Sequence, residues 1–563
     1  MCNLSAQSIS LCYRSKIVLE SFSHCFGQGT WTRIIGPNGA GKSTLIKSLC
    51  GLVPVSGGRI LLGDRRIDQM QPAEISHMIA YVPQQLSFMP PLDAASFVAH
   101  GCYAAKLPTN EARQKAVSIM MQLGIAHLCD RRIDQLSGGE QQLCVLSSAI
   151  AQNTRILLLD EPDKGLDIQY RQKLRQILVD LRDQGYTLIE STHDLSIARQ
   201  YADQTILLCD KTCLFQGEGF PSDELICQAY RLDANDSTSL ERNNDKVASP
   251  LVRNASFIRI AAVLLLLCCL IVCPFVGESI VGPDDGLFWM LRVPRVIWGC
   301  VTGAVLAVVG ALFQSLFQNA LATPYTLGVA SGASLGAMAA IQSGLASAFG
   351  ISVAGCFGGI LSMLAVIAIA AKNTKHPFYC LMAGVAVAMF CSAFGLIIQS
   401  FASPLTAQQM MRWQIGGFEI AGYSTMPNLI PILVGFAVLF KTAPAVDLVG
   451  VDADLAQSQG VPVSLVRTVS LLAAGIITSI VVSICGPIGF VGLVVPNAVR
   501  HLVGARLRHV MVLSALFGAV FLAAADMVSR VLERFAWIPA GVVTAIVGVP
   551  CFMLILFGQK RDI

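Results

Sequence analysis

The sequence predicts an α/β phosphate-loop domain followed by an all-α polytopic membrane domain of about ten transmembrane helices. Three observations carry that reading. Of 563 residues, 54% are hydrophobic and only 13% charged, against about 25% charged in soluble domains, and the mean hydropathy is +0.61. A strand-like run at 32–35 leads into a glycine-rich loop and a helical stretch. From Phe257 onward, apolar runs of membrane-spanning length follow one another to the C-terminus.

Residues 1–230 form the first part. Short β-rich runs at 32–35, 156–159, 187–191 and 205–209 alternate with amphipathic stretches, a pattern that predicts a mostly parallel sheet covered by helices. The first sixteen residues are polar and mixed, without a basic and then apolar leader, so this part is expected to stay in the cytoplasm. Residues 231–255 turn polar and lose periodicity, as a flexible linker does. The remainder, 256–563, holds ten candidate spans at 257–276, 292–314, 325–342, 346–371, 379–401, 425–441, 464–485, 488–503, 509–526 and 538–557. A helix crosses the hydrocarbon with about 20 apolar residues. With the first domain inside, Lys372, Lys375, His376, Lys441, Arg467, Arg500, Arg506, Arg508, Lys560 and Arg561 fall on the cytoplasmic side, in keeping with the positive-inside rule. Gly299 and Gly303, then Gly328, Gly332 and Gly336, recur at four-residue spacing and predict close helix packing.

A net charge of +4 with no basic run is too small to argue for nucleic acid, and no nucleic-acid partner is expected. The nineteen cysteines are scattered without Cys-x-x-Cys pairs, which argues against a disulfide framework or a structural zinc site.

The chemistry sits in short motifs. Gly36-Pro-Asn38-Gly39-Ala-Gly41-Lys42-Ser43 fits G-x-x-x-x-G-K-[ST], in the strand–loop–helix context the motif needs. Its glycines let backbone amides face phosphate oxygens, Lys42 reaches the β- and γ-phosphates, and Ser43 suits Mg²⁺. The strand-like 155–159 ends in Asp160-Glu161, which places two carboxylates at a sheet's ligand-binding edge. Asp160 suits the magnesium shell and Glu161 a base polarising water; the pair alone also suits the acidic first turn of a helix. Leu136-Ser137-Gly138-Gly139-Glu140 precedes a helical stretch and reads as a second anion site, without revealing whose phosphate it holds. Gln84 and His193 each follow a short β-like run and singly are ordinary polar loop residues.

Together and in this order, the motifs resemble the ATPase domain of ABC transporters over essentially all of residues 1–230. The resemblance implies ATP and Mg²⁺ as cofactors. It assigns 36–44, including Thr44, to the Walker A loop, Gln84 to the magnesium-contacting Q-loop, and 136–140 to the signature, so that Ser137, Gly138 and Gly139 bind nucleotide. It makes Asp160 the Walker B aspartate, Glu161 the catalytic glutamate, 165–167 the D-loop, His193 the switch histidine, and Tyr13 the aromatic stacked on adenine. Asp163 and Lys164 stand where the family usually has a Thr and a small polar residue.

The second part is similar to permeases that import iron-siderophore, haem and cobalamin. The similarity rests on Leu291-Arg292-Val-Pro294-Arg295, Gly310-Ala-Leu-Phe-Gln314, Asn319-Ala-Leu-Ala-Thr-Pro324, Leu327-Gly328-Val-Ala-Ser-Gly332, Gly489-Phe490-Val491-Gly492-Leu493-Val-Val-Pro496 and Pro539-Ala-Gly541-Val-Val-Thr544. Asn497 replaces a usual His and Gln459 a usual Leu. The resemblance implies a type II ABC importer fused from ATPase and permease, in the inner membrane with the ATPase domain and both termini cytoplasmic. It implies a homodimer, since each ATP closes between one copy's phosphate loop and the other's signature, and a periplasmic substrate-binding protein as a further partner. A ferric siderophore is the expected cargo, with haem and cobalamin next. Gly450, Ala456 and Gly460 match the coupling stretch that meets the ATPase. Arg292, Arg295 and Arg530 match arginines that dock the binding protein, the alternative being snorkelling to headgroups or pairing with Asp284, Asp285 or Glu533. An ABC exporter and a membrane-anchored regulatory ATPase also accommodate the ATPase motifs.

Overall fold

The structure, a computed structural model, describes residues 4–13, 16–86, 90, 92–192, 194–230, 255–277, 286, 288–345, 347–370, 377–418, 422–503, 506–535 and 538–559. His193, most of the linker, Lys372, Lys375, His376, Asp284, Asp285, Lys560 and Arg561 lie outside these residues, as does the side chain of Tyr13. The chain divides into two compact units, one of residues 1–250 with 451–463 and one of 251–450 with 464–563. The stretch 451–463, part of the membrane domain by sequence, therefore packs with the first unit.

That unit contains β1 (Leu4–Tyr13), β2 (Lys16–Phe26), β3 (Trp31–Ile35), β4 (Gly57–Leu62) and β5 (Arg65–Arg66), followed by β6 (Ile79–Val82), β7 (Ile156–Asp160), β8 (Thr187–Ser191), β9 (Gln204–Cys209) and β10 (Thr212–Glu218). Its helices are α1 (Lys42–Leu49), α2 (Pro72–Ser76), α3 (Ala94–Ala99), α4 (Thr109–Gln122), α5 (Gly138–Ala151), α6 (Ile168–Asp183), α7 (Leu195–Tyr201) and α8 (Asp223–Tyr230). The expected parallel sheet is present: β9, β3, β8, β7 and β6 pair in parallel, with β10 antiparallel at one edge. A second, antiparallel sheet in the order β2-β1-β4-β5 lies beyond what the sequence pattern predicts.

The central strands are apolar along their whole length because both faces are covered. Alternate side chains go opposite ways: Ile79, Tyr81, Ile156, Leu158 and Ile189 join the core that holds α1, while Ala80, Val82, Leu157, Leu159 and Leu188 join the core that holds α5 and α6. Each fully buried Leu or Ile contributes about 1.5–3 kcal/mol. Val451 and Leu455 are members of the second of these cores.

The other unit holds α9 (Ala255–Val272), α10 (Val293–Leu316), α11 (Val329–Gln342), α12 (Ala348–Ala370), α13 (Pro377–Ser400), α14 (Pro404–Ile415) and α15 (Leu429–Val449). After α16 (Ala453–Ser458), which lies in the first unit, come α17 (Val463–Cys485), α18 (Val491–Val503), α19 (Leu507–Leu532) and α20 (Ala540–Gln559). All ten expected spans correspond to helices. Among the described residues, six helices are long and apolar enough to cross a membrane, and four apolar ones are shorter: Ala262–Val272, Val329–Gln342, Val491–Arg500 and Ala540–Met553. Helix α14 is an addition to the expected set; its polar Gln408, Gln409 and Arg412 hide it from a hydropathy reading. Small residues bring helices into contact as predicted: a Cβ on Gly303 of α10 would lie 2.1 Å from the Gly518 carbonyl oxygen of α19.

Cys25 on β2 is disulfide-bonded, a departure from the expectation for a cytoplasmic domain, and the other described cysteines are free thiols.

Candidate functional site

Strands β3 and β7 flank β8 on either side and run parallel to it, so the loop after β3 and the carboxylates ending β7 come together at one edge. Gly36, Gly39 and Gly41 all have positive φ, and Gly41 (φ 97°) caps the N-terminus of α1. That loop turns back on itself: Lys42 Nζ donates to the carbonyls of Gly36 (2.7 Å) and Pro37 (3.1 Å). Asn38 is exposed, while Ser43 and Thr44 are half-buried in the first turn of α1. Ser43 Oγ donates to Asp160 Oδ1 at 2.8 Å, and Ser191 Oγ donates to the same oxygen at 2.7 Å.

Burial shapes the charges here. It pulls the Lys42 ammonium down to about 8, assisted by Lys164 and opposed by Glu161 and Asp160. Burial also pushes the Asp160 carboxyl up, against the two hydroxyl donors. Glu161 sits at φ 45°, a left-handed conformation uncommon outside glycine and often found at functional sites. Its N–H donates to Ser191 Oγ at 2.9 Å. Gln84 donates its amide to Glu161 Oε2, and Lys164 Nζ lies 3.2 Å from the same oxygen. The structure thus brings Lys42, Ser43, Asp160, Glu161 and Gln84 into one cluster.

The 136–140 motif is built as an N-terminal cap. Ser137 Oγ accepts from the Glu140 N–H, and Glu140 Oε2 accepts from the Ser137 N–H at 2.9 Å, a reciprocal capping box. Ser137 and Gly138 are exposed. A Cβ on Gly139 would lie 2.5 Å from the Tyr170 ring.

In the same unit, Asp452 caps α16 by accepting from the N–H groups of Asp454 and Leu455. Asp454 pairs with Lys47 of α1 at 2.7 Å. Although burial opposes it most, the bond and charge of Asp454 leave the Lys47 ammonium above its ordinary value. Gln152 Nε2 donates to the carbonyls of Ser76, Ile79 and Ser458, and Gln459 Nε2 donates to Ser148 Oγ at 3.1 Å. Ala456 is fully buried. Gly460 (φ 89°) lies where a Cβ would meet Ser76 Oγ at 2.6 Å. Gly450 belongs to the other unit, where its carbonyl accepts from Gln318.

The arginines are differently placed from the expectation of outward charges. Arg295 donates to Asp526 (2.9 Å) and Glu533 (3.4 Å). Arg530 is only 4% exposed; it lies 3.1 Å from Asp526 and donates to the Cys273 carbonyl. Arg292 donates to the carbonyls of Pro274 and Phe275. A buried carboxylate between two guanidiniums draws Arg295 and Arg530 inward, since a lone charge there would be costly. Of the three, it is Arg295 that meets Glu533, at 3.4 Å. Asn497 donates to the Leu493 and Ala320 carbonyls.

One buried pair carries no signal in the sequence. Arg33 on β3 and Glu190 on β8 are 3.1 Å apart with side-chain exposures of 0% and 4%. Trp31 Nε1 donates to the same Glu190 oxygen at 2.9 Å, and the guanidinium lies 4.4 Å from the Trp31 ring centre. Burial pushes the Glu190 carboxyl up, and Arg33 opposes it.

An α/β nucleotide-binding unit with this strand-edge cluster, joined to a bundle of apolar helices, defines an ATPase–permease fusion. The chain belongs to the FecCD transport family, which it matches over residues 258–558, and it carries an ABC transporter domain matched over 19–164, a domain that hydrolyses ATP to drive transport. It is 35% identical over 297 residues, 51% of this chain and 83% of the other, to the uncharacterized ABC transporter permease protein YvrB of Bacillus subtilis (strain 168). It is 32% identical over 274 residues (48% and 82%) to a probable iron chelatin transport system permease protein of Helicobacter pylori. Over 223 residues (38% and 84%) it is 34% identical to the manganese transport system ATP-binding protein MntA of Synechocystis. Among solved structures, an inward-facing putative metal-chelate type ABC transporter superposes with a TM-score of 0.51 at 25% identity, covering 54% of this chain and 99% of that one.

Proposed function

We propose that two copies of this chain form an importer that takes up a metal chelate, a ferric siderophore before haem or cobalamin, from a periplasmic binding protein. The observation that carries this reading is that residues 451–463, inside the permease match, pack in the core of the ATPase unit. Hydrolysis there has a direct mechanical path to the permease sequence. The named relatives in iron chelatin transport and the metal-chelate structure support the cargo class.

In this reading Lys42 leaves the loop carbonyls for the β- and γ-phosphates, and the amides of 36–44 cradle them. Tyr13 stacks on adenine. Ser137, Gly138 and Gly139 of the partner copy close the site, giving two sites about a two-fold axis. Glu161 polarises the attacking water, and His193 and Gln84 sense the γ-phosphate. Ser43 and Asp160 offer two hard oxygens 2.8 Å apart, a donor set that fits Mg²⁺; with Gln84 they would hold it. Bound there, the ion neutralises charge on the phosphates. Gly450, Ala456 and Gly460 belong to the stretch that transmits closure to the permease, in a chain lying in the inner membrane with its ATPase and both termini cytoplasmic. To dock the binding protein, Arg295 and Arg530 would have to exchange Asp526 for a partner carboxylate, and Arg292 would have to leave the Pro274 and Phe275 carbonyls.

The test is ATP-dependent uptake of a labelled ferric chelate into vesicles carrying the whole chain, with and without binding protein. Uptake only with both supports the importer. Efflux, or ATPase with no flux in either direction, refutes it.

A further inference from the structure

Glu161 is held by two donors on a single oxygen. Gln84 and Lys164 both meet Oε2, while the Glu161 backbone is fixed by the bond to Ser191. Lys164 is tied to its place by a turn, its N–H donating to the Glu161 carbonyl at 3.2 Å. Gly165 follows at φ 75°, and Asp167 then caps α6. The two ends of the pair differ sharply: the Glu161 side chain is 7% exposed and that of Lys164 61%. A flexible ammonium therefore reaches from solvent to a buried carboxylate, and the segment that carries it is the turn between β7 and α6.

We infer that Lys164 is a positioning residue that restrains Glu161, occupying the oxygen that must face water, so that turnover requires this turn to draw the ammonium away. The inference rests on Glu161 being the base. An ammonium 3.2 Å from that oxygen fills the place that a water must take to come within hydrogen-bond reach of the base. Because the lysine is largely exposed, the restraint is weak and easily released. It lowers the basal rate without blocking the site. Lys164 is distinct from Lys42: one ammonium serves phosphate, and the other serves the base.

The experiment uses the full chain in lipid nanodiscs without binding protein, with ATPase as readout. Lys164→Ser is expected to raise kcat two- to five-fold, equivalent to about 0.4–1 kcal/mol, with KM for ATP changing less. Lys164→Arg, which keeps the charge, is expected to bring the rate back toward that of the parent. Raising salt should bring the parent and Lys164→Ser rates together, as a partly exposed pair is screened. In a Glu161→Gln background the Lys164 substitution should have no effect. An unchanged or lower kcat in Lys164→Ser, beside an inactive Glu161→Gln, overturns the restraint alone. Near-parental turnover in Glu161→Gln overturns the base assignment and the restraint with it.

Discussion

Removing the Glu190 carboxylate should destabilise the ATPase unit severely, and removing Arg33 with it should restore most of the loss. The pair is closed to water: Arg33 is 0% and Glu190 4% exposed, their charged atoms lie 3.1 Å apart, and Trp31 contributes both a ring face and an N–H. Glu190→Leu strands a guanidinium in the core. Breaking one side of a buried pair costs about 3–5 kcal/mol, whereas replacing both sides with apolar groups is often neutral or better. For a unit of this size, 1 kcal/mol moves Tm by about 2–4 °C, so Glu190→Leu should lower Tm by roughly 6–20 °C. Arg33→Met with Glu190→Leu should recover at least half of that, the remainder reflecting the Trp31 N–H left without its acceptor, at about 1–3 kcal/mol. Scanning calorimetry of the whole chain in detergent measures this, the relevant transition being the one that added ATP shifts upward. A drop below about 2 °C for Glu190→Leu, or a double variant as unstable as the single, refutes the reasoning.

Glu161→Gln should bind ATP normally yet hydrolyse it at least ~100-fold more slowly, in line with loss of a positioned base; single-turnover ATPase and a nucleotide-binding assay check the two halves separately. Lys42 is held down to about 8 by burial, so it is charged below that pH and neutral above it. Affinity for ATP without magnesium should therefore fall as pH rises through 8, and the break should vanish in Lys42→Arg; titration by equilibrium dialysis across pH 7–9.5 would reveal its absence. Ala456→Glu puts a charge at a fully buried position of α16 and should leave ATPase measurable while abolishing uptake, which paired assays in one vesicle preparation would test. Arg530→Glu would place a second carboxylate against Asp526 and should reduce the yield of monodisperse protein on gel filtration; Arg292→Glu should weaken capture of the binding protein in a pull-down.

Much of the phosphate site was legible because its parts are contiguous. A strand running into Gly36 and another running into Asp160-Glu161 need only the rule that ligands gather at strand ends. Hydropathy marked every apolar helix, since lipid imposes a composition that few soluble segments reach. What stayed hidden depends on pairing across long stretches of chain. Arg33 meets Glu190, and Arg295 meets Asp526, only because β3 lies beside β8 and α10 beside α19. Nothing local to either residue signals its mate, so Arg295 and Arg530 read as outward charges. The antiparallel sheet was missed for the same reason, its strands β1 and β4 lying far apart in sequence. Lys164 is the exception: three residues from Glu161, it stands out as a departure, but its reach to the carboxylate depends on the turn.

The burial of Val451 and Leu455 among the ATPase's own apolar side chains has a consequence for anyone who divides the molecule. A polypeptide ending near residue 250 would lack a piece of its own interior and would present a greasy notch to solvent. Such a fragment should be sticky, and a short synthetic peptide spanning 451–463 should make it soluble. Joining the two halves in one gene also fixes their ratio, so every ribosome that finishes the chain delivers the plug along with the socket.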